Sequence, residues 1–566
     1  MTGASDPHDP GGVDGGDSHH AFWADEVADR VEARHPDEPI VIKGGVSPSG
    51  VPHIGHLNEI LRGYFVAEAL RERGHEVRQV FTSDDRDPLR TVPRTLADLD
   101  WTVMDLGDTP NPGALGRNLG KPLTDVPDPF GCCDSFGDHQ TRLLDMMTEA
   151  VGVPVEVVSN TELYEEGAFE AVTRELLADA PAARALLAEF QDSVDPDGGY
   201  VPFTPVCGSC GKLTGRVTAV DLEAGTVDYV CEDTEAGNRT IEGCGHEGTA
   251  TLREGKLPWR FEWPAQWRVL GVDHEPFGKD HAEGSWPSGE RIARELLGDE
   301  PPVPMTYEWF TYNGEALSSS SGHVITVSEV LELVEVAVLR YFFTKPPKRA
   351  RDFDVGRLDQ LVDEFDRFEA TYFGEVSATD TEQARAERAY PMVVDGAATP
   401  APVVRDGEPS ADRVRIPYTF AAVLGMTDDR SLRASMARRS GHIPEDAPSW
   451  AVDAALERVP RARAWAVRTD NEYNYRLAEE LPEVAVGESE AAALDALAAF
   501  VERESPDGDA LQEAVYDTAR DHDVPVGEFF ALGYRLFLGQ EEGPRLGPFL
   551  GALDRTFVLR RLRREG

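Results

Sequence analysis

The chain has 566 residues, with 55 basic and 103 acidic side chains, a formal net charge of −48 and 41% apolar residues. At roughly 100–200 residues per domain this length predicts three to five domains, and the apolar content excludes an acidic disordered tail. Seven of the basic residues are lysine and the rest arginine. That usage fits a salt-rich cytoplasm, where the Debye length falls to roughly 3 Å at 1 M and like charges barely repel; an ordinary acidic mesophile protein is the alternative. Net charge therefore does not exclude nucleic-acid binding. No stretch approaches 18 consecutive apolar residues, so neither a membrane span nor a membrane partner is expected. Met1 to His20 lacks a basic-then-apolar signal pattern, and residues 1–25 read as a disordered leader of a cytoplasmic protein. Six clustered cysteines point to metal in a reducing compartment rather than to disulfides.

Ile40-Val41-Ile42 reads as a buried strand, and the following Gly44 to Gly50 as a loop rich in Gly and Pro. A helix is expected near His53, with Leu57, Ile60, Leu61, Tyr64 and Phe65 at helical spacing and Gly74 as its stop. Glu76 to Phe81 is the next strand. Strand, loop, helix and strand make a βαβ unit, so a parallel sheet follows. Neither G-x-G-x-x-G nor a P-loop is present; Gly116 to Lys121 is one residue short, and Pro122 stands where a P-loop has Ser or Thr. Residues 151–258 read as an insertion, and Trp259 to Phe310 as the completion of the sheet. From Ser328 onward the chain reads helical, with an amphipathic run from Val330 to Phe342. Thr379 to Pro417 reads as a linker, and Ala491–Val501 and Leu511–Ala519 as helices.

His53-Ile54-Gly55-His56, at the start of a helix after a Gly-rich loop, makes an anion site. Exposed backbone N–H groups and the helix dipole favour phosphate, and the two imidazoles can donate to the same oxygens. Gly55 leaves room for a flat base. This segment resembles the HIGH motif of class I aminoacyl-tRNA synthetases. Ser83 to Pro93 is similar to the segment after the second strand in the archaeal-type, class I lysyl members. Asp128 to Cys132 with Ser135 and His139, Gly278-Lys279-Asp280-His281, and Gly543 to Phe549 are similar to that family too.

The resemblance implies an α/β, Rossmann-type catalytic domain in two halves (26–150 and 259–327) around a zinc-binding insertion (151–258). An all-α region follows, with a connecting domain at 328–390 and an anticodon-binding domain at 391–566. The implied activity is ligation of lysine to tRNA(Lys) through lysyl-adenylate. ATP with Mg2+ is consumed, and no covalent enzyme intermediate forms. His53 and His56 would be catalytic. Gly55, Lys279, Ser318, Ser319 and Ser320 would bind ATP. Gly45, Ser47, Trp259, His281 and Tyr307 match lysine-contacting positions, and Asp84, Asp85 and Asp280 are candidate carboxylates for the ammonium. Trp259 and Tyr307 are also what an ordinary core would contain. The rivals are another class I synthetase, such as the glutamate enzyme, whose pocket needs cations, and a non-catalytic tRNA-binding paralogue.

Cys207 and Cys210 form a C-x-x-C knuckle, with Cys231, Cys244 and His246 downstream as further zinc ligands. Cys231 with Cys244 gives a four-cysteine set, His246 is able to replace either, and a redox C-x-x-C is the rival. Cys132 and Cys133 are adjacent and read as structural. One departure stands out: where the family carries K-M-S-S-S-K-G, this chain reads Ala316-Leu317-Ser318-Ser319-Ser320-Ser321-Gly322, without either lysine. A cation there neutralises the departing pyrophosphate. Arg340 to Arg349 and Arg560 to Arg564 are basic stretches that suit phosphate contacts, unless they pair with local acids.

Overall fold

A computed structural model describes residues 20–236, 239–317, 322–394, 403–405, 408–410, 413–504 and 506–565. It divides into two compact units. The first contains the chain up to Glu329, with Arg340–Phe353 and Glu387–Ala397; the second contains Val330–Leu339, Asp354–Ala386 and the remainder.

The first unit opens with α1 (Trp23–Glu32), which starts inside the stretch read as leader. Phe22, Trp23, Ala24, Val27, Ala28 and Val31 are buried, an apolar stripe at helical spacing. Then come β1 (Ile40–Val46), α2 (Ile54–Glu72) and β2 (Val77–Ser83), the expected βαβ unit. Gly74, at φ 98°, follows the helix end in the left-handed conformation that an L side chain resists. Strand β1 runs four residues beyond Ile42, through Gly44-Gly45-Val46, because each of these residues pairs with β2 as far as Val46 opposite Ser83. Helix α3 (Phe136–Ala150) and β3 (Glu156–Ser159) lead into the insertion. The chain returns through α4 (Trp259–Leu270), β7 (Val272–Gly278) and β8 (Val303–Tyr307), with the insertion's own strands β4 (Gly215–Asp221), β5 (Thr226–Cys231) and β6 (Glu247–Thr251) between.

The central sheet has the order β8-β7-β1-β2-β3, and every pairing is parallel. Chain order reverses between β1 and β7, and the carboxyl ends of such a reversal form a crevice for ligands. Gly45, Gly278 and Tyr307 lie at those ends.

Within the second unit, Leu358–Tyr372, Tyr418–Leu424, Arg458–Thr469, Glu488–Glu504, Gly508–Asp521 and Val526–Leu538 are helices, covering both segments expected to be helical. The expected linker is partly a helix as well: Asp380–Val394 buries Ala386, Ala389, Tyr390 and Val393. Spacings of three and four residues make these one stripe, which the Asp- and Ala-rich composition concealed.

Two basic stretches turn inward. Arg340 is fully buried, and its guanidinium donates to the carbonyls of Val151 and Gly152. Arg561 donates to backbone carbonyls of 478–480, Arg563 pairs with Glu502, and Arg564 with Asp495. Arg340 and Arg561 are spent inside the protein and Arg563 and Arg564 pair with acids at the surface, so local pairing, not phosphate binding, describes these four. No helix among the described residues is long and apolar enough to cross a membrane.

Candidate active site

The two motif histidines cap α2 by each other. His53 Nδ1 accepts from Gly55 N at 3.0 Å, and His56 Nδ1 accepts from His53 N at 3.2 Å. A capping box normally made by Ser/Thr and Glu/Gln is made here by two imidazoles. Their rings stack with centroids 4.0 Å apart. Burial holds His53 well below its usual range, with the neighbouring His56 adding to the effect, and brings His56 to about 4. Both rings are therefore neutral at pH 7. Because each Nδ1 accepts a hydrogen bond, each proton resides on Nε2, the nitrogen left to donate to a phosphate.

The exposed helix amides expected here are absent. Ile54 N donates to Ile325 O, Gly55 N to His53 Nδ1, and His56 N to His53 O. The anion site therefore rests on the two imidazoles. Gly55 is required for a different reason than the one expected: a Cβ there falls 2.6 Å from the His53 ring.

Three residues after His56, one further residue of α2 completes the pocket: Glu59, which the sequence reading missed. Its carboxylate accepts from Gly45 N at 2.8 Å and from Tyr307 OH at 2.8 Å, joining β1, α2 and β8. Burial pushes Glu59 up to about 7. Its place three residues after His56, on the same face of the helix, was the available signal. Gly45 admits no side chain, since a Cβ would lie 2.1 Å from Thr82 Oγ1.

Of the three predicted carboxylates, two are already engaged. Asp84 accepts from Gln266 Nε2 at 2.9 Å and lies in the field of Lys43 and Lys256. Asp85 accepts from Ser159 Oγ at 2.6 Å and Thr161 N at 2.8 Å, so it ties the second strand's loop to β3. Asp280 is about half exposed and meets Trp309 Nε1 at 3.4 Å. Ser47 hydrogen-bonds Asp87. Lys279 Nζ pairs with Glu308 at 3.0 Å on the surface.

A stacked aromatic cluster lies beside Glu275. Trp259 lies on Trp263 with centroids 5.3 Å apart, and His281 packs against both. Behind it Glu275 accepts from Trp263 Nε1 at 3.0 Å, from Trp267 Nε1, and from Lys43 Nζ at 2.8 Å. Glu275 is thus balanced by a lysine of the protein, whereas Glu59 has only neutral hydrogen-bond donors. Tyr307 is buried, and Trp259 is half-buried against the aromatic core. Ser318, Ser319 and Ser320 lie outside the described residues, but Leu317, which precedes them, comes within reach of Gly55.

Four thiols converge in the insertion. Cys207 Sγ is 3.6 Å from Cys244 Sγ, Cys210 Sγ is 3.7 Å from Cys231 Sγ, and all four ligand atoms lie within 4.8 Å of one another. Tetrahedral sulfur at about 2.3 Å from zinc implies edges of about 3.8 Å, so the set fits a metal. His246 is not part of this set; its ring packs edge-on to Tyr229 and its carbonyl accepts from Cys231 N. The convergence of all four sulfurs, rather than of Cys207 and Cys210 alone, is what a metal site needs and a redox pair does not.

Cys132 and Cys133 need correcting too. With Asp128 and His139 they form a second four-donor cluster. Their sulfurs are 3.8 Å apart, Cys132 Sγ is 3.3 Å from His139 Nδ1, and His139 Nε2 lies 2.9 Å from Ala97 O, the outer contact that orients a ligating imidazole. The adjacent thiols converge because the loop folds back at Gly131, φ 71°, around the Asp128 carboxylate, which accepts from the amides of Phe130, Cys132 and Cys133.

The profile of the family described as tRNA synthetases class I (K) matches residues 21–394. A lysine–tRNA ligase of Natronomonas pharaonis is 67% identical over 545 residues, covering 96% of this chain and 97% of that protein. The lysine–tRNA ligase of Haloarcula marismortui is 63% identical, covering 99% of this chain and all of that protein. That of Pyrococcus horikoshii is 31% identical, covering 96% and 99%. Close relatives from haloarchaea agree with the reading of the acidic surface as an adaptation to salt. With the reversed parallel sheet, the paired histidines and the buried carboxylate at its crevice, this chain belongs to the class I (K) tRNA synthetases.

Proposed function

We propose that the chain is a cytoplasmic lysine–tRNA ligase. The observation that carries the substrate assignment is Glu59, a half-buried carboxylate whose hydrogen-bond donors, Gly45 N and Tyr307 OH, are both neutral, with Lys43 acting on it only through space. An ammonium entering the pocket supplies a cation in contact, which Lys43, bonded to Glu275, does not. The side chain of glutamate would meet a like charge.

In the first step a carboxylate oxygen of lysine attacks the α-phosphorus of ATP, the bond from that phosphorus to the bridging oxygen breaks, and pyrophosphate leaves with the electron pair; Mg2+ brought in with ATP would neutralise part of its charge. His53 and His56 donate from Nε2 to the phosphate oxygens that gain charge. Ser318, Ser319 and Ser320 offer neutral donors, and Lys279 becomes available if Glu308 releases it. In the second step a hydroxyl of the terminal ribose of tRNA(Lys) attacks the lysyl carbonyl. AMP leaves and takes the electron pair of the broken C–O bond, and the hydroxyl proton passes to AMP phosphate or solvent.

The two four-donor clusters would each hold zinc as a structural clamp, Cys207, Cys210, Cys231 and Cys244 in the insertion and Asp128, Cys132, Cys133 and His139 in the first half of the catalytic region. ATP–pyrophosphate exchange with each amino acid tests the reading. Exchange stimulated by lysine alone supports it. Exchange with glutamate, or none with any amino acid, overturns it.

A further inference from the structure

Arginine fills most basic positions of this chain, and of its seven lysines only Lys43 and Lys256 are buried. Lys43 pairs with Glu275. Lys256 takes part in neither chemical step, yet its side chain is sunk almost completely into the first unit.

Two carboxylates clamp the Lys256 ammonium: Asp87 contacts it directly, and Glu262 lies 2.8 Å away. Asp87 follows β2, and Glu262 sits in the first turn of α4. A residue from the end of the insertion thus ties the two halves of the catalytic region to each other. Both ends of the clamp are braced. Tyr164 OH donates to Glu262 at 2.8 Å and accepts from Leu257 N at 2.9 Å, while Leu123 N donates to Asp87 O at 3.0 Å. Lys256 itself is held in a short antiparallel pairing, opposite Thr204.

Each end of the clamp reaches the crevice. Ser47 hydrogen-bonds Asp87, and it stands two residues beyond Gly45, whose amide donates to Glu59. Between them Val46 O accepts from Asp84 N at 2.8 Å, and Asp84 O accepts from Asp87 N at 3.0 Å, so the segment after β2 is bonded to the end of β1. At the other end, Trp259 lies three residues after Lys256 and one turn of α4 before Glu262, and it packs against Trp263 and His281.

Stability alone gives no reason for this arrangement. A buried ion pair recovers its desolvation cost only in part, and apolar side chains of the same volume hold two elements together as well. What an ammonium between two carboxylates adds is geometry: it fixes the separation of Asp87 and Glu262 through two short contacts. A compact point charge fits between them, whereas the flat fork of arginine, used elsewhere in this chain, asks for a planar, two-oxygen partner. We propose that Lys256 is a positioning residue for amino-acid binding: through Asp87 it sets Ser47 and the end of β1, and through Glu262 it sets the start of α4 with Trp259, so that both rims of the crevice keep the spacing at which lysine binds. The inference rests on the ligase reading. The motif histidines cap α2 by themselves, so the phosphate contacts of ATP do not pass through the clamp.

The test uses the full-length protein in molar KCl. Lys256→Met combined with Glu262→Gln removes the cation together with one of its acids and leaves the net charge of the cluster unchanged. Asp87→Asn opens the other side of the clamp and keeps the contact of Lys256 with Glu262. In lysine-dependent ATP–pyrophosphate exchange, each should raise the lysine KM about tenfold or more, while the ATP KM and kcat stay within about threefold of the parent. Asp87→Asn and Ser47→Ala combined should raise the lysine KM no further than the stronger of the two alone, because both act on one contact. A purely structural role would instead lower the melting temperature and move the ATP KM and kcat with the lysine KM. A lysine KM within threefold of the parent, equal changes for lysine and ATP, or additive effects of the Asp87 and Ser47 changes would overturn the proposal. Should the Lys256 variant not fold, the Asp87 and Ser47 pair decides alone. Absence of lysine-dependent exchange in the parent would overturn the ligase reading itself.

Discussion

Replacing Glu59 by Gln isolates the charge that selects lysine. Gln keeps the volume and one carbonyl oxygen for Gly45 N–H or Tyr307 OH, but not the negative charge. Two unit charges about 4 Å apart interact by about 4 kcal/mol at an effective dielectric of about 20, and truncating one partner of a buried, hydrogen-bonded charge pair costs about 2–5 kcal/mol. Against this stands the carboxyl's own reluctance to ionise: at about 7 it is half protonated at neutral pH, which offsets only about 0.4 kcal/mol, a factor of two. The expected loss is therefore about 2–4 kcal/mol, or about 30- to 1,000-fold in lysine affinity. Titration calorimetry with lysine, and exchange kinetics with lysine and ATP varied separately, would measure it. ATP affinity should be unchanged, and the ligand-free variant should melt no lower than the parent, since it loses a buried charge without a cation in contact. Glu275→Gln is the contrasting change: it strands the buried Lys43 and should lower the melting temperature. Lysine affinity of Glu59→Gln within threefold of the parent would refute the assignment.

Glu59 also sets a pH dependence: it is raised by burial, the ammonium requires its ionised form, and below about 7 the apparent lysine KM should climb towards tenfold per pH unit. Lysine binding at pH 7 should release about half a proton, visible as a buffer-dependent binding enthalpy, whereas a flat profile from pH 5.5 to 8 would contradict this. His53→Ala or His56→Ala should slow adenylate formation by about 10²- to 10³-fold while lysine binding holds, measured by rapid quench. Ser318, Ser319 and Ser320 changed together to Ala should slow the same step, and an unaffected burst would remove the loop from catalysis. Elemental analysis should find about two zinc ions per chain, one of them lost in a Cys132→Ser, Cys133→Ser variant. Melting temperature should fall as KCl is lowered from molar to millimolar, where the Debye length grows to roughly 30 Å at 0.01 M; an unchanged value would argue against a salt-adapted surface.

Periodicity and local chemistry carried much of this molecule in its sequence. The βαβ unit, the stop at Gly74 and the knuckle at Cys207 and Cys210 depend on neighbours within a few residues, and the same is true of the two histidines at a helix start. Local order is written locally. What the sequence left open were questions of which distant group is already engaged. Asp84, Asp85 and Asp280 were equal candidates for the ammonium, yet Gln266, 182 residues from Asp84, and Thr161, 76 from Asp85, decide that the first two are occupied. Glu59 emerged only when β1 and β8 brought Gly45 and Tyr307 to it. Arg340 looked like a phosphate ligand until the fold closed four carbonyls from two distant segments, 151–152 and 392–393, around its guanidinium. A charged side chain's role depends on what else satisfies it, and in a folded chain that partner is set by tertiary contact, because desolvation forces every buried charge to find one.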